Sequence, residues 1–156
     1  MAKTSAGILL YRVRRRGLEV LLGHPGGPFF ERRDEGVWSI LKGEADPGED
    51  LLAVARREFE EEVGSPPPGG PMLPLGSVTG RGGKIVHAWA VEGDLDPADA
   101  RSNEFEMEWP PGSGRIRAFP EIDRVAWFSL VDARRGIGPA QVALLERLEA
   151  LLRIAD

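Results

Sequence analysis

Cysteine is absent from the chain, and with it go disulfide staples and every thiolate metal site. Histidine is scarce. His24 and His87 stand alone, with no partner at ligand spacing, so both read as structural and any metal has to be held mainly by oxygen. No apolar run approaches the ~18 residues of a membrane span. The short apolar stretch in "MAKTSAGILLYRV" lacks a cleavage-site pattern and reads as a strand. A soluble, cytoplasmic protein without a membrane partner is the expectation. Net positive charge is also lacking: the formal charge is -5. Broad nucleic-acid binding relies on Lys and Arg meeting phosphates, so nucleic acid is not expected as a partner, while phosphate ligands remain open where a cation mediates.

What is present fits one domain over residues 1–156. A chain of that size buries roughly 68–70% of its unfolded surface. Alternation in "SAGILLYRV" and "LEVLLGH", split by the turn "RRRG", predicts a β-hairpin from about Ser5 to Gly23. A Gly/Pro-rich loop, "HPGGPFFERRDEG", leads into the short strand "VWSILKG". After a helix come two further strands, "PLGSVTG" and "KIVHAWAVEG", separated by "RGG". The segment "LDPADARSNEFEMEWPPGSGRIRAFPEID" has no clear period and reads as a long loop, of the kind that is functional or mobile. A last strand "RVAWFSL", a helical turn "VDARRG" and an amphipathic helix "GPAQVALLERLEALLRI" with Pro139 near its start complete the chain.

Charge is distributed unevenly. Between Gly43 and Glu62 there are eight acidic residues and two basic ones. Asp46-Pro47-Gly48 is a turn, Glu49 or Asp50 caps the helix that follows, and Gly64 closes it before prolines 66, 67 and 68. At about 100° per residue, with Glu58 at zero, Glu62 falls near 40° and Glu61 near 300°, so the three share a face. Leu52, Ala55, Phe59 and Val63 form an apolar stripe beside them. One reading is a solvated face with Arg56-Glu60 and Arg57-Glu61 pairs. Against it, three carboxylates beside an apolar stripe are poorly placed for solvation. Hard oxygen ligands gathered this way suit Mg²⁺ or Mn²⁺.

The spacing is more specific still. Gly43, Glu49, Arg57-Glu58-Phe59, Glu61-Glu62 and Gly64, at their intervals, resemble the signature box of the Nudix hydrolases, here residues 43–65. The departure is Ser65, where the family has a bulky apolar residue. The resemblance implies an α/β fold, an α/β/α sandwich with a mixed sheet between helices, covering nearly the whole chain. It also implies that Glu58, Glu61 and Glu62 bind Mg²⁺ with help from a backbone carbonyl near Lys42 or Gly43. Arg57 then orients the glutamates, and Glu49 is its partner. The family reaction is hydrolysis of a nucleoside diphosphate linked to another group: water attacks phosphorus, cations neutralise the phosphate oxygens and a carboxylate takes the proton. Glu61 is the first choice for that acceptor. Glu104, Glu106 and Glu108 in "SNEFEMEWPP" are alternatives, each equally readable as an ordinary exposed acid.

Substrate clues are sparser. "WSILKGE" resembles the W-x-x-P-K-G-E run of diadenosine-polyphosphate hydrolases, with Leu41 in the proline position, so that Lys42 either meets a phosphate or is simply solvated. Lys84, at the start of a strand, is a second phosphate-contact candidate. Phe29, Phe105 and Trp109 either stack on a base or pack under their loops. "HPGGPFF", "WAVEGDLD" and "SNEFEMEWPP" resemble a bacterial subgroup of Nudix pyrophosphohydrolases. The expected substrate is a small nucleotide, either a dinucleoside polyphosphate or a nucleoside triphosphate. Two alternatives remain: a non-catalytic nucleotide sensor, which such modules reach by losing box carboxylates, and an enzyme acting on the 5′ end of RNA.

Overall fold

In the computed structural model, which describes residues 3–155, the apolar run of the first strand is buried on both faces, and the rest of the fold follows from that. Residues 1, 2 and 156 of the expected 1–156 domain lie outside the described residues. Strand β1 (Thr4–Arg14) turns at Gly17 into β2 (Gly17–Pro25). Leu9 and Tyr11 of β1 face one apolar cluster, while Ala6, Ile8 and Leu10 face the other. That is the period of two carried into two separate cores.

The remaining elements are β3 (Leu41–Glu44), α1 (Leu51–Val63), β4 (Leu73–Thr79), β5 (Ile85–Glu92), β6 (Glu104–Glu108), β7 (Ile116–Pro120), β8 (Ile122–Ser129), α2 (Leu130–Gly136) and α3 (Val142–Ala155). The main sheet runs β4-β5-β1-β2-β8, with β3 also paired to β1. β1 and β5 are parallel and the other pairings antiparallel, so the sheet is mixed. On one face α1 packs Val54, Ala55, Phe59 and Val63 against Ile8, Leu10, Leu21 and Leu41. On the other, Ala133 of α2 and Leu144, Leu145 and Leu148 of α3 cover Leu9, Val20 and Leu22. This is the α/β/α sandwich with a mixed sheet.

The elements that flank the acidic helix are fixed by named contacts. Asp50 is the cap that forms, accepting from the Ala53 amide at 3.0 Å, and Gly64 ends the helix in a left-handed conformation at φ 87°, donating to the Glu60 carbonyl at 2.7 Å. The segment before β3 is tied across the sheet to the α3 side: Gln141 accepts from the Ile40 amide at 3.0 Å and donates to Ser39 Oγ at 3.0 Å. β3 is shorter than "VWSILKG" suggests, because Trp38 and Ser39 are spent on isolated bridges to Ile137 and Gly23.

The long loop expected after β5 is a correction. Residues Glu104–Glu108 and Ile116–Pro120 pair as an antiparallel hairpin in a sheet of their own. Glu104, Glu106 and Glu108 therefore sit on a strand and not in a loop. The hairpin covers no large core, so its apolar residues are few and its period is masked by the prolines and glycines around it.

Candidate active site

Helix α1 packs against β3, with the Glu58 side chain folded over Gly43. A Cβ on Gly43 would overlap the Glu58 carboxyl carbon, so the acid occupies the space a side chain there would need. Glu62, one turn further on, is 4% exposed, far deeper than the rim position that helix geometry alone suggests. Its Oε1 is buried without any hydrogen-bond partner. Glu61 is half-buried between them on the same face, whereas Glu60 points to solvent.

A fourth carboxylate joins them that the sequence reading missed. Glu121 sits at the bend between β7 and β8, where its amide donates to the Asn103 carbonyl at 2.8 Å and its carbonyl accepts from the Gly26 amide at 2.9 Å. Asn103 in turn donates to the Glu61 carbonyl at 3.0 Å, which brings the foot of the hairpin onto α1. "FPEID" offers no spacing that ties it to the box, so only the long-range pairing of strands reveals it.

The electrostatics follow from this crowding. Burial pushes the Glu62 carboxyl up to about 8; the Lys42 charge and amide pull it down in part, and Glu58 and Glu121 push it further up. Glu58 is raised by burial and then by the neighbouring Glu61, and Glu121 by burial and then by Glu61. Three of the four acids are thus strained toward their neutral forms. A buried carboxylate oxygen with no donor is costly, and a hard divalent cation is the partner that removes the cost for several acids together. The donor set therefore fits such an ion. Among the described residues, however, no three such side chains already converge on one point at coordinating distance.

Arg57 does not take up the expected contact with Glu61. Its Nη1 donates to Glu49 Oε2 at 2.9 Å, and its Nη2 lies 3.6 Å from Glu58 Oε1. Glu49 is held from its other side by the Asp46 amide at 2.7 Å. The Arg57 hydrogen bond, followed by that amide, lowers the Glu49 pKa. A chain of contacts therefore runs from the β3–α1 turn through Glu49 and Arg57 to Glu58.

The other candidates are dispersed. Lys42 of β3 lies beside Glu62, while Lys84 is exposed at the β4–β5 turn, on the far side of β1 from Gly43. Glu104 pairs with Pro120 across the hairpin, one step from Glu121 and on the opposite face by strand alternation. His24 is fully buried: its Nε2 donates to the Arg33 carbonyl at 2.6 Å and its Nδ1 stands 2.9 Å from Asp123 Oδ1, bracing the loop after β2 against β8. Beside Glu62 is a cavity of about 250 Å³, also lined by Arg101, Ser102, Asp123 and Arg124. A larger one of about 550 Å³, lined by Tyr11, Leu18, Leu130 and Leu152, lies elsewhere; the unpartnered Glu62 oxygen, not cavity size, marks the site. No helix among the described residues is long and apolar enough to cross a membrane.

Comparison with known proteins agrees with this architecture. The sequence model of the NUDIX domain matches residues 1–148. Two curated proteins named RNA pyrophosphohydrolase, from Bradyrhizobium diazoefficiens and Rhodopseudomonas palustris, are each 38% identical over 61 residues, which is 39% of this chain and 35% and 34% of theirs. The match thus spans about a third of the length of those relatives. Among solved structures, a C. elegans Ap4A hydrolase in a binary complex superposes with a TM-score of 0.67 at 22% identity, covering 96% of this chain and 98% of that one. The NUDIX domain of Shewanella oneidensis NrtR, complexed with ADP ribose, gives 0.67 at 17% identity, covering 97% and 89%. At such identities the likeness is one of fold.

Proposed function

The chain belongs to the Nudix family, and from that premise we propose that it is a cation-dependent hydrolase of the pyrophosphate linkage in nucleotides. One observation carries the reading: the Glu62 carboxyl, buried with an unpartnered oxygen among Glu58, Glu61 and Glu121. A solvated helix face does not bury an acid in that way. Retention of every box carboxylate also favours an enzyme over a nucleotide sensor.

Glu58, Glu61, Glu62 and Glu121, with the Gly43 carbonyl, are the groups that would hold Mg²⁺ or Mn²⁺. Bound there, such a cation would supply charge screening for the phosphate oxygens and a lowered pKa for its water. The chain's own residues do the rest. Glu49 fixes Arg57, and Arg57 fixes the Glu58 carboxylate by charge and geometry. Glu61, half-buried beside the other acids, is the proton acceptor. Glu104 is placed second in that role, because strand alternation turns it away from Glu121. Lys42 tempers the negative charge at Glu62, whereas Lys84, on the far side of β1 from Gly43, has no place in this reading. A small nucleotide partner and a cytoplasmic location belong to the same reading.

A second reading, action on the 5′ end of RNA, is favoured by the name of the curated relatives. The chemistry is unchanged and only the substrate grows. Both are tested by incubating the protein with Mg²⁺ and diadenosine tetraphosphate, ADP-ribose, nucleoside triphosphates and 5′-triphosphate RNA. Release of phosphorylated product that is abolished by EDTA is expected. No product from any substrate would sink the hydrolase reading.

A further inference from the structure

The β6–β7 hairpin sorts its side chains into two unlike faces. Its register pairs Phe105 with Phe119 and Met107 with Arg117, while Glu106 meets Ala118 and Glu108 meets Ile116. Residues directly across two strands share a face. One face is therefore aromatic and basic, and the other carries Glu104, Glu106 and Glu108. The first is assembled by contact: the Phe105 and Phe119 rings lie 6.0 Å apart, and the Arg117 guanidinium lies 5.1 Å over the Phe119 ring.

The strip extends in both directions. Toward the tip, the Trp109 amide donates to the Arg115 carbonyl at 2.9 Å, and the Trp109 ring meets the exposed ring of Phe29 edge-on at 5.4 Å. The loop after β2 thus closes one side of the strip, and Gly27 is placed where a side chain would press on Phe105. Toward the foot, the pairing runs through Asn103 and Glu121 onto the Glu61 carbonyl. By alternation Phe119 and Arg117 lie on a single side of β7, with Arg115 just before its start and Glu121 at the bend just past its end. Among the described residues neither Arg115 nor Arg117 enters an ion pair.

We propose that this face is the binding surface for the far part of a long substrate, with phosphates on Arg117 and Arg115 and a second nucleobase against Trp109 and Phe29. The substrate class is then a dinucleoside polyphosphate. The inference rests on the hydrolase reading of the carboxylates and extends it. Guanidinium groups without a carboxylate partner complement phosphate oxygens, and aromatic rings accept any base. The three glutamates on the outer face repel a polyanion and so confine it to the inner one. Length decides between nucleotides. At ~3.3 Å per strand residue, Trp109 stands ~20 Å along the hairpin from Asn103. A nucleoside triphosphate with its diphosphate at the carboxylates stops short of that ring, whereas a second nucleoside on a longer phosphate chain reaches it. An RNA strand would call for a broader basic surface than two arginines backed by an acidic face.

The experiment compares Trp109→Ala, Trp109→Phe and Arg117→Gln with the parent chain on three Mg²⁺-supported substrates: diadenosine tetraphosphate, a nucleoside triphosphate and a short 5′-triphosphate RNA. Trp109→Ala and Arg117→Gln are expected to raise KM for diadenosine tetraphosphate by about tenfold relative to the triphosphate, and Trp109→Phe to keep most of the parent value. A rise of equal size on both nucleotides, or no rise, overturns the assignment while leaving the hydrolase reading intact. A selective rise on RNA alone gives the surface to RNA and overturns it too. Failure of the parent chain to cleave any of the three overturns the hydrolase reading, and the assignment with it. Melting curves matching the parent's establish that a KM change is not loss of fold.

Discussion

Gly43 and Glu58 compete for one volume: a Cβ on the glycine would overlap the glutamate's carboxyl group. The position has no unusual φ, so it is close approach that demands glycine there. In Gly43→Ala the added methyl meets the end of the flexible Glu58 side chain, which swings aside and leaves its place beside Glu61. Because a side chain and not the backbone gives way, the stability cost is small. The expected outcome is a Tm close to the parent's together with a loss of Mg²⁺-dependent turnover. A variant with parental kinetics would show that Glu58 need not occupy that spot.

Glu62 predicts a pH dependence whose sign is fixed by its environment. Its carboxyl titrates at about 8 in the folded chain against 4.5 in the unfolded one. The folded state therefore holds the extra proton between those values, and stability falls as pH rises through that window. Urea midpoints in EDTA should drop from about pH 5 to about pH 8 and recover on adding Mg²⁺, which binds the folded state and not the unfolded one. Glu62→Gln should flatten the pH curve and lose most of the Mg²⁺ response. A steep curve retained in the variant would assign the titration to another group.

Arg57 is tied to Glu49 at 2.9 Å and to Glu58 at 3.6 Å, and the arginine and Glu49 are both open enough to solvent that the pair adds little stability. Its value lies in orientation. Arg57→Ala and Glu49→Gln are each expected to cut kcat by about 10–100-fold with Tm nearly unchanged. The double variant should lose little more than either single one, because both act through Glu58. Additive losses would separate the two residues.

How legible this was in the sequence depended on how local each feature is. Helix α1 carries its own cap, its own stop at Gly64 and a charge pattern fixed by helix geometry, so its boundaries and acidic face could be read from a short window. The strand β1 was readable, but as an alternating hairpin strand; its burial on both faces depends on α1 and α3 arriving from elsewhere in the chain. The depth of Glu62 was not visible, since it depends on Lys42 and on the β7–β8 bend arriving from elsewhere. The alternation "EFEME" in β6 was present, but only one of its faces is partly covered and its surroundings carry the marks of a loop. The Arg57–Glu49 contact was named by the box resemblance and not by helical spacing, because it is made where the β3–α1 turn folds back.

Glu121 is the residue where this matters most. It lies far from the box in sequence, yet its charge is felt at both Glu58 and Glu62, and burial and Glu61 raise its own pKa. A carboxylate held there by two backbone hydrogen bonds is positioned by the sheet and not by chance contact. Glu121→Gln keeps the shape and removes the charge. If Glu121 shares the cation with the box acids, the variant should need more Mg²⁺ for half-maximal activity, by about 10–100-fold, and should show a smaller rise in Tm with Mg²⁺. Its metal-free form should be at least as stable as the parent near neutral pH, since a buried like charge has gone. Unchanged Mg²⁺ dependence would leave Glu58, Glu61 and Glu62 as the whole ligand set and reduce Glu121 to a neighbour. A gain in metal-free stability coupled to a loss in metal affinity is the combination that only a charge kept for the cation produces.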